Sequence, residues 1–243
     1  MKILGVIPAR YASTRFPGKP LTDIGGKTMI QRVYEQCAKT TALSKVVIAT
    51  DDERIYKHVE NFSAVVMTRS EHPSGTDRCR EALEQQQESF DYVINIQGDE
   101  PFIDPVQIEI LAAELKKGAA IATLAKPIED ETLLHNPNIV KVVTTGDGHA
   151  LYFSRAPIPF NRNAGSNPWT KSHSYLKHIG LYGYQTDTLK QITKLPVGKL
   201  ESTESLEQLR WLEHGYRIRV GITSIETIGI DTPEDLEKIK GLI

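Results

Sequence analysis

Ile3-Leu4-Gly5-Val6-Ile7-Pro8-Ala9-Arg10-Tyr11-Ala12-Ser13-Thr14-Arg15-Phe16-Pro17-Gly18-Lys19-Pro20 is the stretch that decides the fold. Its first residues are apolar and rich in β-branched side chains, and they end at a proline, which reads as a buried strand. The remainder carries three cations, two hydroxyls and two Pro/Gly breaks, which reads as the loop at that strand's carboxyl end. Ligands of open α/β sheets sit at such ends. Arg10, Arg15 and Lys19 in one loop suit an anion, most simply a polyphosphate. The alternative is three solvated surface cations.

Working outward, strands and helices alternate through the first half. Helical spacing places a helix over Met29–Lys39, a strand over Lys45–Thr50, a helix over Asp52–Asn61 and a short strand over Ala64–Met67. A helix from about Thr76 to Gln87, a strand over Tyr92–Ile96, a helix beginning at Pro105 and a strand over Ala119–Ala125 follow. This order implies a mostly parallel sheet covered on both faces. The second half differs in kind. Val140–Thr144, Ala150–Ser154 and His178–Gln185 are strand candidates without full helices between them, and Thr145-Gly146-Asp147-Gly148 is a hairpin signal. Residues 156–174 form a long polar segment, as expected for a functional loop or an interface arm. Helices return at Thr186–Lys194 and Thr203–Glu213, a strand at Tyr216–Gly221, and a closing helix with Thr232 at its N-cap and Pro233 at its first position. The expected division is about 1–125 for the alternating half, about 126–225 for a β-rich elaboration and 226–243 for the C-terminal segment.

With 243 residues the chain is long enough for a substantial core. A net charge of −2 gives no global basic field, which argues against nucleic acid and makes the N-terminal cations local. Cys37 and Cys79 lack metal-ligand spacing and read as reduced thiols. Residues 3–8 are too short for a signal-peptide core, and no stretch approaches the roughly 18–20 apolar residues of a membrane span. A soluble cytoplasmic protein is expected.

Three further clusters lie at predicted element ends. Asp99 in Gln97-Gly98-Asp99-Glu100-Pro101 follows a buried strand, where a carboxylate suits Mg²⁺ or simply caps a turn. Asp231 also follows an apolar strand; because Thr232 is the better N-cap, Asp231 is left for a metal. Ser74-Gly75-Thr76-Asp77-Arg78 opens a helix, whose N–H groups suit phosphate, ribose or a base carbonyl, with plain capping as the alternative. His178, Gly180, Tyr182 and Tyr184 share one face of a strand by alternation.

Together these segments resemble the 3-deoxy-manno-octulosonate cytidylyltransferase family. The resemblance also runs through Asn136-Pro137-Asn138-Ile139-Val140-Lys141, Ala150-Leu151-Tyr152-Phe153-Ser154-Arg155, His178-Ile179-Gly180-Leu181-Tyr182-Gly183-Tyr184, Leu206-Glu207-Gln208-Leu209-Arg210 and Gly229-Ile230-Asp231-Thr232-Pro233-Glu234-Asp235-Leu236. It implies a Rossmann-like nucleotide-diphospho-sugar transferase fold with a smaller β-rich sugar-binding and dimerisation lobe, a homodimer, CTP and Mg²⁺. By resemblance, Arg10, Arg15 and Lys19 meet the phosphates, and Ser74, Thr76 and Arg78 surround base and ribose. Asp99 and Asp231 hold the metal, with Lys19 and Arg10 also assisting catalysis. Gln97, Arg155, His178, Tyr182, Glu207 and Gln208 contact an acidic eight-carbon sugar, with Arg155 facing its carboxylate. Lys199, Gln185 and Ser224-Ile225-Glu226-Thr227 depart from the family pattern near the expected sugar site. The 8-amino analogue of the sugar, a sialic acid, and a non-catalytic nucleotide-sugar sensor stand as alternatives.

Overall fold

The computed structural model describes residues 1–12, 16–165 and 167–239, with the backbone alone at 238 and 239. Two compact units emerge, residues 1–112 with the segment from 227 onward, and Ala113–Glu226.

The first unit begins with β1 (Ile3–Ala9), whose side chains are almost all buried, followed by a two-strand hairpin, β2 (Asp23–Ile24) and β3 (Lys27–Thr28). Gly25 and Gly26 turn that hairpin with positive φ, a local signal not used in the sequence reading. Then come α1 (Met29–Cys37), β4 (Lys45–Thr50), α2 (Glu53–Val59), β5 (Ala64–Met67), α3 (Gly75–Glu84), β6 (Tyr92–Asn95) and α4 (Pro105–Lys116), within which the first unit gives way to the second. β1 lies between β4 and β6, and β5 lies outside β4, all parallel. The apolar run that begins the chain is thus an interior strand, buried on both faces as a parallel sheet requires.

The second unit contains β7 (Ile121–Pro127), α5 (Glu131–His135), β8 (Lys141–Thr144), β9 (Ala150–Ser154), β10 (Leu176–Gln185), α6 (Thr186–Ile192), α7 (Lys199–Glu204), α8 (Gln208–Glu213) and β11 (Ile218–Ile222). β11 runs parallel to β7, while β7–β10, β10–β8 and β8–β9 are antiparallel. The turn at residues 145–148 closes the β8–β9 hairpin as expected, with Gly148 N–H donating to the Thr145 carbonyl and φ of +80° at Gly148.

The single helix expected over Thr203–Glu213 is instead two, α7 and α8. The chain breaks at Ser205, which sits in the left-handed region at φ 53°. Leu206 directs its side chain into the core there, and its N–H bonds back to Glu201 O at 3.3 Å. Helical periodicity carried across the break, so sequence alone concealed it. Residues 156–174 fold against α5, where Glu131 accepts from the N–H groups of Trp169 (2.9 Å) and Thr170 (3.0 Å), and Tyr175 donates to Pro159 O at 3.0 Å. The chain returns to the first unit and ends in α9 (Pro233–Ile239). No helix among the described residues is long and apolar enough to cross a membrane.

Candidate active site

The end of β1 is held close to the segment that follows β6. A Cβ on Gly98 would lie 2.7 Å from the Pro8 carbonyl, so only glycine lets the backbone of residues 97–99 pass this near to the strand end. Asp99 is thereby delivered to the loop after β1. The C-terminal segment joins them: the Ile230 N–H donates to Asp99 O at 2.9 Å, and the Ile230 side chain is buried with Ile24 and Met29. The helix cap expected at Thr232 is built from the other direction. Asp235 accepts from the N–H groups of Asp231 (3.1 Å) and Thr232 (3.0 Å), and the Thr232 hydroxyl also donates to it (3.2 Å). That leaves the Asp231 carboxylate outside the cap.

Both aspartates converge on one cation. Lys19 Nζ lies 2.7 Å from Asp99 Oδ2, 3.5 Å from Asp231 Oδ1 and 2.9 Å from the Ile230 carbonyl. Two carboxylates 132 residues apart in sequence, with a carbonyl beside them, form an all-oxygen set around a positive charge. Such a set fits a hard divalent cation that takes one or two protein carboxylates and completes its shell with phosphate oxygens and water. The Lys19 ammonium holds the place of that positive charge here.

Arg10 is half-buried and donates to the His72 carbonyl. Burial lowers its pKa first, and the nearby Arg78 charge lowers it further, while Asp51 and Asp77 oppose that. A guanidinium stays protonated regardless, so Arg10 brings a fixed positive charge to this corner. Arg78 takes a different role from the ribose and base contact expected of it. Its side chain is fully buried, bonded to Asp51 Oδ2 at 2.8 Å and to the Thr68 hydroxyl, so its charge acts from inside the fold. Ser74 caps α3, accepting from Asp77 N–H at 3.2 Å and donating to Asp77 Oδ2 at 2.7 Å, and Thr76 is buried in the first turn. Arg15 lies outside the described residues. Gln97 lies on the turn after β6.

A clamp on the loop was not legible in the sequence. The Arg54 guanidinium carbon stands 3.3 Å above the centroid of the Tyr11 ring. Asp52 fixes that guanidinium in a two-point pair, at 2.9 and 2.6 Å. Tyr11 O also accepts from Gly18 N–H at 2.9 Å, and φ at Gly18 is +73°. A side chain at Gly18 would meet the Tyr11 ring at 3.1 Å. The only sequence signal was an arginine two residues after an acidic N-cap.

In the second unit, His178 and Tyr182 lie four residues apart on β10, about 13 Å along an ideal strand. Their rings are 5.3 Å apart. A bulge between Ile179 and Tyr182 makes the difference, and Thr123 Oγ1 reaches the displaced carbonyls of Ile179 (3.1 Å) and Leu181 (2.9 Å) as well as His178 Nε2 (3.0 Å). The His178 residue retains some solvent exposure, but its imidazole is enclosed by the Phe153 and Tyr182 rings, and desolvation pushes its pKa down to about 3. It is therefore neutral at pH 7. The Tyr182 hydroxyl is pushed well above its ordinary pKa by burial and then by the Glu207 charge, which places Glu207 in the same group. Gln208 opens α8 with its side chain buried, and its Nε2 has no hydrogen-bond partner among the described residues.

Arg155, expected to face a sugar carboxylate, instead donates to backbone. Its Nε reaches Glu204 O at 2.8 Å, and its terminal nitrogens reach Pro137 O at 3.1 Å and Ser205 O at 3.5 Å. The unusual segment at 224–227 has a local account: the Glu226 carboxylate joins Lys126 at 2.8 Å and Lys177.

The backbone before Asp231 is irregular rather than the expected strand, since no strand lies between β11 and α9 among the described residues. An interior parallel strand ending in a cation-bearing loop, with two aspartates from distant segments on one positive charge, fits a nucleotidyltransferase. A family model described as "Cytidylyltransferase" matches residues 4–228. A 3-deoxy-manno-octulosonate cytidylyltransferase of Cytophaga hutchinsonii is 55% identical over 241 residues, covering 98% of this chain and 96% of that one. Its counterpart from Bacteroides thetaiotaomicron is 57% identical over 242 residues, with the same coverage of each chain. A solved structure of CMP:2-keto-3-deoxy-manno-octonic acid synthetase complexed with CTP aligns with a TM-score of 0.92 at 43% identity, covering 100% of this chain and 98% of that one. The 4-diphosphocytidyl-2C-methyl-D-erythritol synthase of Anaerococcus prevotii shares the fold, with a TM-score of 0.65 at 14% identity over 99% of this chain and 96% of that one. The chain belongs to the cytidylyltransferase family, among its 3-deoxy-manno-octulosonate cytidylyltransferases.

Proposed function

We propose that the chain transfers CMP from CTP to the anomeric 2-hydroxyl of 3-deoxy-manno-octulosonate (Kdo), giving CMP-Kdo and pyrophosphate for lipopolysaccharide synthesis. The observation that carries the reading is the convergence of Asp99 and Asp231 on Lys19, in the loop that also carries Arg10.

The chemical difficulty is electrostatic. A hydroxyl next to a carboxylate must approach the α-phosphorus of a polyanion, in line with departing pyrophosphate. Lys19 and Arg10 bring fixed positive charge to the phosphates, where it counts most as charge moves to the leaving group. Asp99 and Asp231 would hold Mg²⁺, which would supply Lewis-acid offset of phosphate charge and would make the attacking hydroxyl more acidic. The N–H groups of the first turn of α3 favour anionic and carbonyl groups of the nucleotide.

On the sugar side, Glu207 supplies an acceptor and Gln208 a donor for hydroxyl groups, with His178 and Tyr182 completing the contacts. The buried Nε2 of Gln208, unpaired among the described residues, supports a polar ligand, since a buried donor is costly to leave unmatched. With a pKa near 3, His178 is too weak a base to take the hydroxyl proton at neutral pH, so it orients rather than deprotonates. No side chain forms a covalent intermediate in this scheme.

We also assign a homodimer, supported by exposed apolar Leu151 and Phe160 in the second unit. A cytoplasmic location is supported by two buried free thiols, Cys37 and Cys79.

The test is pyrophosphate release from CTP and Mg²⁺ with Kdo, 8-amino-Kdo and N-acetylneuraminate side by side. Release with Kdo is expected. Release with N-acetylneuraminate alone would replace the acceptor, and nucleotide binding without any release would favour a sensor.

A further inference from the structure

Lys141 lies on β8 and is wholly buried. Its ammonium donates to three carbonyls, Asn136 (3.0 Å), Ile139 (2.6 Å) and Arg155 (2.5 Å). A buried ammonium is costly unless every N–H is matched, and here all three are. These bonds gather the turn at 136–139 and the end of β9 around one point.

The same point fastens the break between α7 and α8. Glu204 accepts from the Ser154 hydroxyl (2.6 Å) and the Arg155 N–H (3.0 Å) through its carboxylate. Its carbonyl accepts from Arg155 Nε (2.8 Å), and the Ser205 carbonyl takes the next guanidinium nitrogen (3.5 Å). Pro137 O, in the turn that Lys141 holds, takes the third nitrogen at 3.1 Å. Ser205 keeps a left-handed φ of 53° without being glycine, a conformation that persists only where its surroundings over-determine it. Glu207 and Gln208 follow immediately. Gln208 then enters α8 with a buried amide, its Nε2 unmatched among the described residues.

We propose that Lys141, Arg155 and Glu204 form a positioning cluster that holds the Ser205 break, and through it Glu207 and Gln208, in register for an acidic sugar. This rests on the sugar-binding reading of Glu207 and Gln208 given above. The three residues act through others and touch no reacting atom. Lys141 is the keystone: without its ammonium the carbonyls of residues 136, 139 and 155 lose their shared donor. Arg155 then loses the fixed Pro137 acceptor that aims its guanidinium at residues 204 and 205. Burial lowers the Lys141 pKa, the Glu204 charge opposes that, and the Arg155 charge adds to the lowering.

The experiment compares the full-length wild type with Lys141→Met and Glu204→Gln. It reads KM for CTP and Kdo separately, and hydrogen–deuterium exchange over residues 203–210. Loss of charge-assisted bonds should raise KM for Kdo about tenfold, with KM for CTP within about twofold. Exchange at residues 205–208 should quicken in both variants, while that of β1 and β4 stays unchanged. If Lys141→Met does not fold, the near-isosteric Glu204→Gln carries the comparison. The proposal is overturned by equal rises in both KM values, by unchanged KM values with only a lower Tm, or by unchanged exchange at 205–208. Should the wild type release no pyrophosphate with Kdo, the functional reading fails, and the exchange comparison still decides the positioning claim.

Discussion

Lys19 Nζ sits 2.7 Å from Asp99 Oδ2, an ion pair spanning 80 residues that joins the loop after β1 to the end of β6. The lysine is mostly shielded, and Asp231 stands on its other side. Lys19 therefore serves two ends, as a phosphate neutraliser in the proposed reaction and as counter-charge to the two carboxylates without ligand.

Lys19→Ala should lower kcat on the order of 100-fold or more, because its charge is needed most as pyrophosphate departs. A change confined to KM would mean uniform binding instead. Since this variant also strips the carboxylates of their ammonium, Mg²⁺ should raise its Tm by more than that of the wild type. Asp99→Asn should abolish Mg²⁺-dependent turnover and also the Mg²⁺ effect on Tm. Retained activity in that variant would overturn the metal assignment.

Arg54 touches no predicted ligand, yet it pins Tyr11 at the start of the cation-bearing loop. Tyr11→Leu or Arg54→Ala should raise KM for CTP by about threefold or more, leaving KM for the sugar unchanged. Arg54→Lys should not restore it fully, because an ammonium cannot pair with Asp52 at two points and stack flat on the ring. Steady-state kinetics in both substrates check this.

His178 should stay neutral well below pH 6. Its folded pKa is about 3 against an ordinary 6.5, so between those values the unfolded chain takes up a proton that the native state refuses. Stability from this residue is complete above pH 6.5 and declines as pH falls. Urea unfolding at pH 7, 6 and 5 should show a shallower loss for His178→Gln than for wild type. Imidazole NMR shifts that titrated near pH 6.5 in the native protein would contradict the enclosed ring.

The arm of residues 156–174 depends on Glu131, whose pKa is held down to about 2, chiefly by the Thr170 N–H. Its contribution is present above the ordinary carboxylate range and is lost as pH falls toward 2. Glu131→Ala should speed tryptic cleavage at Arg162 and Lys171 under native conditions, with the rest of the digest unchanged. Equal cleavage rates would show that aromatic packing around Trp169 suffices.

Sequence by itself determined much of the scaffold and the inventory of charge. The β-branched run at residues 3–7 has to be buried, Ser74 and Asp235 cap helices through bonds within four residues, and the turn at 145–148 follows from its glycines. Those features are local, so their physics is written in adjacent residues. Asp99 was legible as a carboxylate following a strand, and Asp231 as one following an apolar run, although that second run forms no strand. Only the tertiary structure decided what these groups face. Lys19 finds both aspartates because Gly98 permits a close backbone passage and Ile230 docks in the core. Arg78 and Arg155 looked alike as ligand-binding arginines, yet one is sealed against Asp51 and the other holds backbone carbonyls. The bulge that closes His178 on Tyr182 and the break at Ser205 depend on partners 55 and 50 residues away, Thr123 and Arg155. Periodicity records which face a side chain takes; it cannot record a register shift paid for by a distant hydroxyl or guanidinium.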